Sequence, residues 1–254
     1  MVGTMKYSIA EISDLRWFNS SKVNLILKNK IKNIVVEIGR CPLATEYGNW
    51  TYIVFGDYIN GVEHDVLVYG DFKKGDNPKA NILMRMHSSC RTSDIFHASN
   101  CECRQELEKA MSEISKEKSG IILYLNQEGA GNGLFGKINA YNKMFEWKNG
   151  RVVMRINKKT GMPVDVHEAY TSLGMDPDAR DYSIAGRILK KMNVNSVRLM
   201  TNNPAKINGL EALGIRVMRK GIHIKPENKM VKHLLRTKAE KLGHNIEKKH
   251  IKMK

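Results

Sequence analysis

The chain has 254 residues, 42% of them hydrophobic, with 42 Lys+Arg against 26 Asp+Glu and a formal charge of +16. The apolar share supports a packed core, which excludes a wholly disordered chain, and no collagen or coiled-coil pattern is present. Apolar runs such as Ile34-Val35-Val36 fall far short of the roughly 20 residues of a membrane span, and no secretory leader pattern opens the chain, so a cytoplasmic location without membrane attachment is expected.

Most of the charge lies at the two ends. Residues 216–254 carry 13 Lys+Arg against 3 Asp+Glu, and residues 1–42 carry 7 against 3. Tails of this kind read as solvated, and they are equally compatible with a small anionic substrate. A nucleic-acid partner is not expected.

In chain order, residues 1–42 read as an N-terminal extension ending in a strand-like run, Asn33 to Ile38. Strand signals recur at Thr51–Phe55, Val66–Tyr69 and Ile82–Met86, separated by Gly- and Asp-rich turns, which predicts an antiparallel β region. From Cys103 to Lys118, Leu107, Ala110, Met111 and Ile114 form one apolar stripe of a helix. Ile121 to Leu125 predicts a buried strand. The loop Gly129-Ala130-Gly131-Asn132-Gly133 leads into a second helix, with Leu134, Ile138, Tyr141 and Phe145 on its apolar face. Arg151 to Val166 predicts an insertion-like hairpin about Asn157–Gly161, a lid or subunit contact. A helix over Ser183–Met192, a strand over Val197–Met200 and a helix from Ala205 to about Leu213 follow. Residues 247–254 form a basic tail. A β-rich part followed by alternating helices and strands predicts a mixed α+β fold, with residues 43–246 as the main domain.

Cys90, Cys101 and Cys103 are spaced C-x10-C-x-C, and in a chain without a secretory leader such a cluster favours metal over disulfide. Three thiolates leave a fourth tetrahedral position for water, as in a catalytic zinc site. A closed structural site completed by Cys41, His87 or His97 is the alternative. The Gly-rich loop before Lys137 and the turn Thr201-Asn202-Asn203-Pro204-Ala205-Lys206 both join a strand to a helix, where backbone N–H groups favour an anion. In the second, Asn203 suits the N-cap and Pro204 the first helical position. Asp176 to Asp181 either complements a helix dipole or supplies a general base at Asp178.

Together these segments resemble GTP cyclohydrolase II. The resemblance rests on Arg85-Met86-His87-Ser88-Ser89-Cys90 with Cys101-Glu102-Cys103, Asn126-Gln127-Glu128-Gly129, Lys137-Ile138-Asn139-Ala140-Tyr141, Asp178-Ala179-Arg180-Asp181-Tyr182, Arg198 to Pro204, and Thr237 to His244. It implies a zinc-dependent hydrolase that opens the imidazole ring of GTP, releases formate and pyrophosphate with magnesium at the triphosphate, and serves riboflavin biosynthesis. It further implies that Cys90, Cys101 and Cys103 hold zinc. By the same resemblance Asp178 is the proton acceptor, Arg180 the nucleophile toward the α-phosphate, and Tyr141 positions the ring-opening step. Arg85, His87, Ser88, Glu128, Gly129, Thr201 and Lys206 would line the nucleotide, in a protein expected to be a homodimer.

Four positions depart from the family pattern. Ser89 stands where the family usually has Glu, Glu106 where it has Gln, Ala130 where it has a substrate-binding Arg, and Val166 where it has Thr. The departures leave the cysteines and the Asp178/Arg180 pair intact. They point to altered reading of the substrate, and so to a paralogue opening a different ring as the alternative. A non-catalytic zinc protein that binds nucleic acid through its basic tails is the alternative of another class.

Overall fold

The computed structural model describes residues 35–58, 60–70 and 79–247. The predicted extension and tail therefore lie largely outside the described residues. The first strand, β1 (Val35–Thr45), runs across the expected boundary at residue 43 and pairs with β2 (Gly48–Asp57) along its length.

β3 (Val62–Tyr69), β4 (Ile82–Ser88), β5 (Gly120–Leu125), β8 (Ser196–Met200) and β9 (Arg216–Lys220) complete a seven-stranded sheet of order β1-β2-β3-β5-β4-β8-β9. The β1-β2-β3-β5 half is antiparallel, with short turns joining β1 to β2 and β2 to β3; β5, β4, β8 and β9 are parallel. Parallel neighbours need long crossovers, which helices supply. α1 (Arg91–Asp94) and α2 (Cys103–Glu117) separate β4 from β5, and α6 (Pro204–Glu211) separates β8 from β9. The fold is mixed α+β.

Side chains alternate across the strands, so each face acquires its own core. Leu83 and Ile122 point to the face covered by α2, where Ala110 and Ile114 are buried and Leu107 and Met111 pack beside them. Met84, Met86, Ile121, Leu123 and Leu125 point to the other face, against Ile184, Ile188 and Leu189 of α5 (Ser183–Lys191). Each such fully buried side chain stabilises the fold by roughly 1.5–3 kcal/mol. Arg85 and His87 share the parity of Leu83, which puts two polar side chains on the α2 face at the carboxyl end of β4. Gly120, where β5 begins, has no room for a side chain: a Cβ there would lie 2.6 Å from the Leu83 carbonyl oxygen.

Two sequence expectations are corrected. In α3 (Gly133–Met144) the buried positions are Gly136, Lys137, Ala140 and Met144, whereas Ile138 is 58% and Phe135 76% exposed. The helix turns Ala140 and Met144 onto a small apolar cluster with Ala169 and Tyr170, with Tyr141 and Phe145 packed beside it as expected, while Lys137 enters the polar pocket. The expected hairpin from Arg151 to Val166 is displaced. β7 (Arg151–Met154) pairs back onto β6 (Phe145–Lys148) through Asn149-Gly150, both with positive φ, the residue pair that favours a two-residue turn. The Asn157–Gly161 turn exists, but its arms are held by little more than the Ile156–Pro163 bridge, and Val166 starts α4 (Val166–Ser172).

Candidate active site

The carboxyl ends of β4, β5 and β8 open into one pocket, where ligands are bound in open sheets with parallel strands. Cys90 follows β4 and precedes α1; Cys103 opens α2, with Cys101 two residues before it. Their sulfurs all lie within 4.8 Å of one another, and Cys90 Sγ is 3.6 Å from Cys101 Sγ. A tetrahedral zinc with Zn–S bonds of about 2.3 Å places its sulfurs about 3.8 Å apart, so the three residues fit that ion. Among the described residues no fourth ligand of the protein joins them. Cys41 is exposed on β1, and His87 is engaged by Asp94 at 3.3 Å.

The chemistry of the donor set agrees. Hydrogen bonds from the Cys101 and Cys103 thiols, and then the Lys137 charge, hold Cys90 far below the usual thiol range. Cys103 is pushed up by sharing with Cys101 and Cys90 and by burial. Three thiols this close do not all ionise without a cation among them. Lys137 Nζ donates to Cys90 Sγ at 3.1 Å and to Glu128 Oε1 at 2.8 Å. Glu128 also accepts from the backbone N–H of Arg91 at 2.6 Å and of Gly129 at 3.0 Å, which ties the loop after β5 to the cysteine turn. Tyr170 donates to the Gly129 carbonyl at 2.9 Å.

Tyr141, one helical turn after Lys137, has its hydroxyl 3.5 Å from Thr92 Oγ1. Burial, then the nearby Cys101 charge, pushes its pKa up, so it remains a phenol able to donate. On the opposite wall Arg180 grips Asp178 with two bonds, Nε to Oδ1 at 2.6 Å and Nη2 to Oδ2 at 2.7 Å. Burial raises the Asp178 pKa, but the Arg180 bonds outweigh it and the net shift is downward. Arg180 lines the pocket; Asp178 stands behind it. Asn203 caps α6 through the Ala205 N–H at 2.9 Å, with Pro204 in the first turn, as the sequence predicts. The Thr201 hydroxyl accepts from Asn203 N at 3.0 Å.

Cations and carboxylates pair around the pocket: Arg85 with Glu106, Lys137 with Glu128, Arg180 with Asp178, Lys238 with Glu102. Lys206 instead donates to the Met86 carbonyl at 2.8 Å, and burial, then Arg85 and Arg180, lowers its pKa. Buried side-chain atoms without a hydrogen-bond partner gather on residues lining this pocket, including Arg85 Nε, His87 Nδ1, Ser88 Oγ, Ser89 Oγ, Glu102 Oε2 and Gln127 Oε1. Unpaired buried groups are costly, so their concentration here marks a surface built for a polar ligand.

Every residue expected at the site from the sequence, apart from Asp178, lines this pocket, and so do all four departures, Ser89, Glu106, Ala130 and Val166. Sequence reasoning did not assign roles to Lys137, Tyr170, Lys238 or His244. Lys137 carries two sequence signals, its place just inside the helix after the Gly-rich loop and its position in the Lys137–Tyr141 segment of the resemblance.

Residues 36–221 match the family model for GTP cyclohydrolase II. The chain belongs to that family. Similar proteins include a GTP cyclohydrolase-2 of Neisseria meningitidis, 40% identical over 82% of this chain and 94% of the relative. A GTP cyclohydrolase-2 of Buchnera aphidicola is 37% identical over 83% of this chain and 97% of its own length. The riboflavin biosynthesis protein RibBA of Endomicrobium trichonymphae is 38% identical over 87% of this chain, which spans about half, 50%, of that relative. No helix among the described residues is long and apolar enough to cross a membrane.

Proposed function

We propose that this member of the GTP cyclohydrolase II family hydrolytically opens the imidazole ring of GTP, releasing formate and pyrophosphate, as a step of riboflavin biosynthesis. One observation carries the reading: a three-cysteine cluster with no fourth protein ligand among the described residues opens on the same pocket as Arg180, Thr201 and Lys206. Cys90, Cys101 and Cys103 would hold zinc, which when bound supplies a Lewis acid that lowers the pKa of water.

The protein's own groups divide the remaining work. Lys137 donates to Cys90 and positions Glu128. Tyr141, a neutral phenol beside the cysteines, offers a proton to the opening ring. Arg180 and Lys206 face the phosphates, with magnesium as the further counter-charge. Burial lowers the Arg180 pKa, but the bonds to Asp178 outweigh it and the net shift is upward, so the resting geometry supports phosphate binding by a permanent cation. To attack the α-phosphate, the guanidinium would first give up a proton, and Asp178 is the acceptor bonded to it.

A second reading, a paralogue acting on a different nucleotide, is favoured by the lining position of all four departures. Ala130 and Glu106 both make the pocket less cationic than the family pattern.

Mass spectrometry of GTP incubated with the zinc-loaded protein and magnesium, beside a Cys101→Ser control, tests both. Formate, pyrophosphate and a diaminopyrimidine ribosyl phosphate absent from the control support cyclohydrolase II activity. Intact GTP, with turnover of another nucleotide, supports the paralogue.

A further inference from the structure

The residues matched by the family model end at 221, yet the chain beyond them returns to the pocket. α7 (Lys229–Lys241) starts at Asn228, whose side-chain oxygen accepts from Met230 N at 2.8 Å and Val231 N at 3.0 Å. Its amide nitrogen donates to the Ser99 carbonyl at 2.7 Å, fixing the helix start to the loop that carries Cys101. Val231 and Leu235 are buried. Lys241 pairs with Asp165, the cap of α4, and Lys238 with Glu102 between two of the cysteines. Past the helix, Asn245 N donates to the Asn202 carbonyl at 2.8 Å, in the turn before α6. The segment thus crosses the pocket mouth, anchored on three sides, and Leu234, Lys238, Leu242 and His244 line the cavity.

Its polar side chains are placed for an anion. His244 Nε2 is buried and has no hydrogen-bond partner. The charges acting on its ring are chiefly those of Lys238, Arg180 and Lys206, with Glu106 the opposing carboxylate. Burial and these cations keep the imidazole neutral at neutral pH, so Nε2 is free to carry the donor hydrogen. Lys238 commits one bond to Glu102, and an ammonium has three. Lys206, on the facing wall, has no carboxylate partner in the described residues. Packing alone gives no reason for the segment past the helix to leave an imidazole nitrogen buried and unpaired beside Lys238, Arg180 and Lys206.

We propose that the C-terminal segment completes the anion-binding half of the pocket, with Lys238 and His244 contacting the polyphosphate arm of the nucleotide beside Arg180 and Lys206. This deepens the cyclohydrolase reading and rests on it for the identity of the nucleotide, but not for the binding of a polyphosphate.

The test is titration calorimetry of the full-length zinc-loaded protein with inorganic triphosphate, GTP and GMP, comparing wild type with His244→Ala, Lys238→Met and Lys238→Arg. Loss of a hydrogen bond to a charged group predicts roughly tenfold weaker triphosphate and GTP binding for His244→Ala, and at least that for Lys238→Met. GMP binding changes less than threefold, and Lys238→Arg recovers most of the loss. Lys238→Met leaves Glu102 without its cation; should it fail to fold, His244→Ala and Lys238→Arg carry the test. Triphosphate affinity unchanged in His244→Ala, an equal loss for GMP and triphosphate, or no triphosphate binding by wild type overturns the proposal. Triphosphate binding that depends on Lys238 and His244, in a protein that leaves GTP intact, upholds the proposal while sinking the cyclohydrolase reading. GTP turnover with an unchanged KM in His244→Ala does the reverse.

Discussion

Lys137 Nζ lies 3.1 Å from Cys90 Sγ, so the first thiolate of the cluster is stabilised by a lysine projecting from α3. The same ammonium bonds Glu128 at 2.8 Å, and one side chain thereby couples the cysteine turn, the loop after β5 and the helix that carries Tyr141. Lys137→Met should remove a neighbour that orients a ligand and leave Glu128 without its cation. Zinc affinity measured by competition with a chromogenic chelator should fall about 10- to 100-fold. Unchanged affinity would restrict Lys137 to a packing role.

Glu106 adds a negative charge to the pocket where the family pattern has a neutral Gln. Burial raises its pKa, but the facing Arg85 and then Lys238 outweigh that and hold it at about 2. Glu106→Gln removes a buried anion and frees Arg85 to meet a ligand. The variant should bind GTP severalfold more tightly and unfold at a lower temperature, since breaking a buried pair commonly costs about 3–5 kcal/mol and Gln retains part of the bonding. Weaker GTP binding would show instead that the carboxylate reads a donor on the base.

The Asp178/Arg180 pair invites a comparison of two substitutions. Asp178→Asn keeps the shape but removes the acceptor charge; Arg180→Lys keeps a cation but loses the fork that grips both carboxylate oxygens. Both should lower pyrophosphate release by about 100-fold or more if the pair acts on the α-phosphate. Formate and pyrophosphate measured separately decide it: loss of formate alone would place the pair at the ring.

Stability should fall on mild acidification, and His244 supplies a distinct part of the effect. Burial, then Lys238 and Arg180, lowers its pKa from 6.5 to about 3. Between those values the unfolded chain holds a proton that the folded protein does not, so stability drops as pH falls through that window. The slope is at most about 1.4 kcal/mol per pH unit for one group. Glu106, with its depressed pKa, contributes stability that is fully present above 4.5 and is lost as pH falls toward 2. Melting temperatures from pH 8 to pH 5 should decline less in His244→Ala than in wild type. Equal declines would mean that His244 is not buried neutral in solution.

The parts of this protein that the sequence makes readable are those set by local rules. The stripe Leu107, Ala110, Met111, Ile114 lies on the sheet as its spacing requires, and Asn203-Pro204 starts α6 as a cap and first turn. The inward face of α3 is only partly legible: Tyr141 and Phe145 pack on the apolar cluster as the pattern requires, but Lys137 is buried toward the polar pocket and Ile138 is exposed, the reverse of hydrophobic patterning. The hairpin lies one turn earlier than the polar run at 157–161 suggests, because Asn149-Gly150 is the stronger two-residue turn. Lys238 and His244 fall in the Thr237–His244 stretch that carries part of the resemblance, but spacing gives neither of them a role. They reach the pocket only through tertiary docking of α7, more than a hundred residues from the cysteines.

The Gly131 contact has a consequence for exchanging parts between relatives. A Cβ at this residue would lie 2.6 Å from the backbone of Ala179, and the Ala179 N–H already donates to the Ala130 carbonyl at 2.9 Å. The glycine turn and the arm bearing Asp178 and Arg180 therefore behave as a lock whose two plates are cut to each other's thickness. Transplanting a bulkier turn from a homologue without its matching arm would shift Arg180 from its place in the pocket lining while leaving the cysteines untouched. Chimaeras should inherit residues 128–133 and 176–182 as one cassette, and single swaps within either stretch should be read as changes of spacing before they are read as changes of chemistry.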